Sequence, residues 1–417
     1  MKKKHLNILY LTQYYPPEIG ATQTRAHEMA RHLVRKGHRV TVLAEFPNHP
    51  LGIVTESYRR KLFTRSRESG VDVIRVWVAA SPKKNFLTRM ALYLSYMTSA
   101  AVAGAVLRNR YDLVFATSPP LFTAAAGRFI AAVKQRPFFM EVRDLWPESA
   151  VVLGELKNPR IIRMAERLEE ALYRKASAVI GVTEGITERL ESRGVPSGKI
   201  ILIPNGANTE LYRPGRRDPK LLESLGIPAD AFVVIYTGLH GLMHGLNFVL
   251  DTACSLQDES VFFLFIGDGV RKPHLVRRAG DLNLSNTVFL EGQSEEALPA
   301  YLHCADAGLV TTRKMAFCRG TLPVKLFTYM ACAVPVLLCA EGEARTVLDR
   351  AGAGLAAGPE DMHALRKAVL DLKADEILRR SMGRKGRRFV QAHYSRKRFA
   401  DALENCFIKK TGPYEKG

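Results

Sequence analysis

Five loops carry the residue types that could do chemistry. The first is Tyr15-Pro-Pro-Glu-Ile-Gly20, which opens a helical segment containing Arg25. Gly20 allows a ligand to approach the backbone, and a helix start offers free N–H groups to an anion. A tight turn is the plain alternative. The spacing G-x-G-x-x-G is absent, so a nicotinamide cofactor has no support. The second loop, Tyr236-Thr-Gly238-Leu-His240-Gly241, follows a β-like run, and its glycines flank a histidine. Successive backbone N–H groups there suit a diphosphate. Phe265-Ile-Gly267-Asp-Gly269 repeats the pattern. In Cys318-Arg319-Gly320-Thr-Leu-Pro-Val-Lys325, two cations bracket a turn at a helix start, which fits a leaving group that accumulates negative charge. Solvated surface charge is the competing reading. The fifth loop, Glu141-Val-Arg-Asp144-Leu-Trp146-Pro-Glu148, places carboxylates beside one of two tryptophans. Asp144 is positioned to orient or deprotonate a hydroxyl, or to cap the next helix. His49, in Pro47-Asn-His-Pro50, is a further strand-end candidate.

Loops of this kind need a scaffold that brings strand ends together. Apolar runs at Asn7–Thr12, Arg39–Ala44, Asp72–Trp77, Leu113–Ala116, Phe138–Glu141, Ala178–Val182 and Ile200–Ile203 alternate with helical sequence. A second series follows at Phe232–Tyr236, Val261–Ile266, Thr287–Leu290, Ala307–Val310 and Val334–Leu338, and basic helices fill 360–410. Alternating strands and helices predict an α/β chain with parallel, doubly wound sheets, in which ligands sit beyond the carboxyl ends of the strands. The expected division is 1–210, 211–385 and terminal helices at 386–417, with the boundary near 207–217.

The 417 residues carry 61 Lys+Arg against 41 Asp+Glu, a net charge of +20. At 47% hydrophobic and 24% charged residues the chain is globular, not disordered. The charge favours polyanionic partners. Nucleic acid has only the charge in its favour, since no basic-aromatic interleaving accompanies it. The six cysteines form no C-x-x-C pair and read as small buried hydrophobes, leaving neither a disulfide framework nor a metal site. The apolar run after Met1-Lys-Lys-Lys is too short for a signal peptide, which predicts a cytoplasmic protein. Residues 91–107 carry no charge and lie between Lys83, Lys84, Arg89 and Arg108, Arg110. That run is short for a membrane span; a buried helix and an interfacial helix on anionic headgroups both fit.

Taken in order, Tyr15-Pro-Pro-Glu18 with Gly20 and Arg25, Lys36-Gly-His38, Pro47-Asn48 with Pro50 and Gly52, Ser118-Pro-Pro120, Asp144-Leu-Trp-Pro-Glu148, Ile203-Pro-Asn-Gly206, Gly267-Asp-Gly269 and Leu322-Pro323 with Lys325 resemble the GT-B glycosyltransferases of family 4. Within it they are similar to bacterial enzymes of O-antigen and capsule assembly, including L-fucosamine transferases. The resemblance implies two Rossmann-like domains facing across a cleft. It also implies transfer from a nucleotide diphosphate sugar, usually UDP-linked, with retention of configuration and without a metal. The donor would meet Gly20, Gly238, His240, Gly241, Gly267, Arg319, Gly320, Lys325, Thr328 and Glu343. Asp144 would be catalytic, and Arg25, His49, Trp146 and Glu148 would face the acceptor. A polyprenyl-diphosphate-linked sugar would be that acceptor, with residues 83–110 on an anionic membrane and the protein on the inner face of the plasma membrane. One departure stands out. The family usually has two glutamates eight positions apart, and Gly320 and Thr328 occupy those positions, with Val324 where serine is usual. Glu341 or Glu343 would then supply the carboxylate. Alternatives are a nucleotide-sugar 2-epimerase and a catalytically weak binding subunit of a polysaccharide assembly complex.

Overall fold

The structure is a computed structural model describing residues 5–49, 51–83, 85–152 and 154–412. Residues 1–4, Pro50 and Lys84, cited above, lie outside it. Two compact units divide the chain, residues 1–204 with 397–417, and 205–396.

In the first unit the strands are β1 Asn7–Leu11, β2 Arg39–Glu45, β3 Phe63–Glu68, β4 Val71–Val76, β5 Leu113–Ser118, β6 Phe138–Val142, β7 Ala178–Gly181 and β8 Ile200–Leu202. Their spatial order is β3-β4-β2-β1-β5-β6-β7-β8, parallel throughout except for the antiparallel β3–β4 pair. Side chains alternate across a strand, so a sheet covered on both sides needs apolar residues at every position. In β1, Leu9 and Leu11 enter a core with Tyr96, Ala100, Leu121, Ile130 and Leu172 from helices Phe86–Val106, Leu121–Val133 and Pro159–Lys175. On the other face, Phe407 from helix Arg396–Lys410 meets the rings of Phe115 and Phe139 at 5.2 and 4.9 Å. That helix is anchored to the segment that follows helix Ala21–Arg35 by Glu404, which pairs with His38 at 3.0 Å and Lys36 at 3.1 Å.

The second unit is an all-parallel sheet, β9 Phe232–Thr237, β10 Val261–Ile266, β11 Thr287–Leu290, β12 Ala307–Thr311, β13 Val336–Cys339 and β14 Gly354–Ala357, ordered β11-β10-β9-β12-β13-β14. Apolar clusters cover both of its faces. The expectation that the chain leaves this unit at 386 is corrected. Helix Glu376–His393 stays with it, because Gly383 packs so closely that a Cβ would lie 2.0 Å from the Ala333 carbonyl. Arg387 adds hydrogen bonds to the carbonyls of Thr209, Tyr212 and Ala331. Only the segment from Lys397 belongs to the first unit.

Helix Phe86–Val106 begins at Asn85, whose side chain caps the Thr88 N–H at 2.9 Å. It buries Tyr96, Ala100 and Gly104, while Leu87, Leu94, Val102 and Val106 are exposed. Among the described residues no helix is long and apolar enough to cross a membrane. The cysteines are all unpaired, five buried and Cys254 exposed.

Candidate functional site

At the carboxyl ends of β9, β10 and β12, three glycine-dependent contacts bring the loops of the second unit together. Gly238 takes φ +112 and donates its N–H to Ile266 at 2.8 Å. Gly267, at φ +145, lies so close that a Cβ would sit 1.9 Å from the Gly238 carbonyl. Gly269, at φ +155, approaches the His240 carbonyl in the same way, at 2.5 Å. Only glycine tolerates this combination of positive φ and backbone contact.

Four nitrogen atoms without partners gather there. The Lys325 Nζ, from the first turn of helix Val324–Ala331, is shielded from solvent, accepts no counter-ion and stands 3.5 Å over the Tyr236 ring. Burial pushes its pKa well below the ordinary lysine value. Both ring nitrogens of His240 and Nδ1 of His244 are likewise buried and unpartnered. The two imidazoles lie 5.6 and 6.1 Å from Tyr236, ring to ring. Burial first, and then Lys272 and Lys325, hold His240 down to about 4; burial and Lys325 hold His244 down to about 3. Buried polar groups normally have partners, and an orphan costs about 1–3 kcal/mol. Such a set of buried N–H donors beside glycine backbone suits an anion. His244 was not singled out in the sequence. The signal was its position two residues before the second apolar run of that loop-helix segment, which an isolated histidine does not reveal.

The other donor candidates divide. Gly241 lies in this loop, ahead of the turn Leu242–His244, and Gly320 ends the turn Ala316–Gly320. Arg319 is exposed and pairs with Glu341 at 2.9 Å. Glu343 is half-buried at the start of helix Glu343–Ala351. Thr328 is buried, and its hydroxyl donates back to the Val324 carbonyl at 3.2 Å.

In the first unit the strand-end loops are joined by carboxylates. Glu18 accepts the N–H groups of Asn48 and His49, both at 2.8 Å. Glu45 at the end of β2 accepts from Gln13 at 2.6 Å and Asn48 at 2.7 Å. No cation offsets the burial of Glu45, so its pKa is pushed well up, first by burial and then by Glu18. Asp144 is half-buried beyond β6, and burial raises its pKa against Ser149 and Arg143, which lower it. Gly20 caps helix Ala21–Arg35 in extended backbone. His49 is exposed, with its ring edge on Tyr14.

One acceptor candidate is corrected here. Arg25 is buried, donating to Glu141 at 2.9 Å and to the carbonyls of Ile203 and Pro204 at 3.0 and 2.8 Å, so it ties β6 to the end of the sheet. Glu148 bonds Arg189 and Arg193 and fixes a helix start. Trp146 remains half-buried, packed edge-on against Phe122 at 5.8 Å.

Two doubly wound parallel sheets in series, the second with a glycine-lined loop cluster around Lys325 at its strand ends, define a two-domain α/β fold. Residues 20–206 match the family model for the glycosyl transferase 4-like domain, and residues 218–389 match that for glycosyl transferases group 1. The chain belongs to the group 1 glycosyltransferases. It is 25% identical over 390 residues, covering 90% of this chain and 95% of the other, to WcaI of Escherichia coli K12, described as a glycosyl transferase of colanic acid biosynthesis. Its fold is that of sucrose-phosphate synthase from Thermosynechococcus elongatus, with TM-score 0.73, 19% identity and coverage of 97% and 98%. It is equally that of HepE of Anabaena in complex with UDP-glucose, with TM-score 0.71, 17% identity and coverage of 96% and 100%. These establish a GT-B architecture.

Proposed function

We propose that the protein transfers a sugar from a UDP-linked donor, with retention of configuration and without a metal, to a lipid-linked saccharide of a cell-surface polysaccharide. The observation that carries this is the cluster of unpartnered nitrogens at Lys325, His240 and His244 beside Gly238. A diphosphate would accept from Lys325 and from the one N–H that each neutral imidazole carries, in a site shielded from water. HepE, a protein of the same fold, binds UDP-glucose, which favours UDP as the nucleotide.

In the step proposed, an acceptor oxygen attacks the anomeric carbon on the face the diphosphate leaves. The new C–O bond forms as the old one breaks, and the acceptor proton passes to a diphosphate oxygen. Lys325 neutralises the charge that develops on the leaving group, which is where stabilisation lowers the barrier. Asp144 orients the acceptor hydroxyl. Membrane association through 83–110 rests on the uncharged exposed face of helix Phe86–Val106, with Lys83, Arg108 and Arg110 around it. The test is UDP release from UDP-sugars, followed by NMR assignment of the product anomer. Retention with Lys325-dependent UDP release is expected; an inverted product contradicts the front-face step.

A further inference from the structure

Five rings line the strand-end loops of the first unit, contributed by separate segments. The His49 ring stands 6.1 Å from Tyr14, edge to face. The Tyr14 hydroxyl meets that of Tyr93, from helix Phe86–Val106. Tyr93 stacks on Phe122 at 6.3 Å and 28°. Phe122, at the start of helix Leu121–Val133, meets the edge of Trp146 at 5.8 Å. His49 is exposed and the other four are half-buried, so each packs one side in protein and leaves part of its surface open.

Large aromatics ordinarily bury themselves in the core, as Tyr10, Phe115 and Phe139 do in this sheet. A row of them held at half burial, two residues beyond Asp144 at one end and at the Glu18-bound loop at the other, needs a different reason. We propose that this row binds the saccharide of the acceptor, with sugar rings seated on the aromatic faces and their hydroxyls bonded by the polar groups along it. The inference rests on the transferase reading and specifies its acceptor site. An aromatic face suits the C–H side of a pyranose, while hydroxyls at the ring margin require donors and acceptors nearby. The row has these at every step: the Tyr14 and Tyr93 hydroxyls, the His49 imidazole and the Asp144 carboxyl. A lipid chain would gain nothing from these polar groups and would leave them desolvated. Its own place is the uncharged stripe of Leu87, Leu94, Val102 and Val106 on the helix that also carries Tyr93.

The chain has two tryptophans, Trp77 and Trp146, so a Trp77→Phe protein reports from Trp146 alone. Its emission is followed on titration with farnesyl-diphosphate-linked N-acetylglucosamine, the disaccharide analogue of that lipid, and farnesyl diphosphate without sugar. Emission should shift with the two glycosylated probes and more tightly with the disaccharide, but not with bare farnesyl diphosphate. In that background Phe122→Ala and Tyr93→Leu should each weaken the glycosylated probes by about tenfold. UDP binding in both variants should stay within twofold, which shows that each is folded and separates this site from the donor site. A response to farnesyl diphosphate equal to that of the glycosylated probes assigns the row to lipid and overturns the proposal. So does the absence of any response in a protein that binds UDP. Failure to bind UDP as well would overturn the transferase reading beneath it.

Discussion

Replacing Lys325 with methionine separates a ligand-binding lysine from a structural one. In the free protein its ammonium has no hydrogen-bond partner and stands over the Tyr236 ring at 3.5 Å. An orphaned buried donor costs about 1–3 kcal/mol, and a cation over a desolvated ring returns about 1–2 kcal/mol. Methionine fills a similar volume without either term, so Lys325→Met should leave stability unchanged or raise it by about 1 kcal/mol. For a unit of this size that is an increase of roughly 2–4 °C in Tm. Donor binding should respond in the opposite sense. Two charge-assisted hydrogen bonds to a diphosphate, at about 1.5–3 kcal/mol each and not fully additive, predict a loss of about 100- to 1,000-fold in UDP affinity. Thermal unfolding with and without UDP, together with calorimetric titration, reads both quantities. A variant that melts well below wild type while binding UDP within threefold of it would refute the reasoning, because the lysine would then be holding the fold.

Three further outcomes follow from the same geometry. His240 and His244 have folded pKa values of about 4 and about 3, below the 6.5 of an exposed imidazole, so the unfolded chain binds more protons between those values. Stability of the second unit should therefore be complete above about pH 7 and fall on acidification, by roughly 3 kcal/mol from His240 by about pH 4, and chemical denaturation of His240→Gln should show a flatter slope over that window. Gly267→Ala sets a Cβ 1.9 Å from the Gly238 carbonyl at φ +145, and should cost about 3 kcal/mol in thermal unfolding and abolish UDP binding. Arg25→Ala leaves the buried Glu141 with only the longer 3.8 Å pair to Arg143 and should destabilise the first unit by about 3 kcal/mol, of which adding Glu141→Gln restores a part.

Strands with continuous apolar runs, such as Val261–Ile266, were legible because burial on both faces demands such a run. β3 was not, since Phe-Thr-Arg-Ser-Arg-Glu is an edge strand of mostly exposed, polar residues. The Ser69-Gly70 turn after it, with both residues at positive φ, was the available signal. β14 is Gly-Leu-Ala-Ala, too small in its side chains to stand out, yet Gly354 packs against the Val336 carbonyl where any Cβ would collide. The thirteenth strand starts at Val336 and not Val334, because the Val334 N–H is already spent on the preceding helix at Tyr329 and Pro335 has none. In the site, glycine spacing located the loops after β9 and β10, and Lys325 followed from its helix start. Arg25 was misread because a charged residue near a strand end looks the same in sequence whether it meets a ligand or an internal partner. Tyr14, Tyr93 and Glu45 were missed because they converge from segments 31 to 79 positions apart only after the sheet has formed.

The central claim is that the second unit holds a nucleoside diphosphate sugar through Lys325 and its neighbours. Calorimetric titration of the intact protein with UDP, GDP and ADP tests it most directly. The account predicts micromolar binding selective for UDP and lost in Lys325→Ala. Absence of binding by any of the three nucleotides, or UDP binding that Lys325→Ala leaves unchanged, would contradict it.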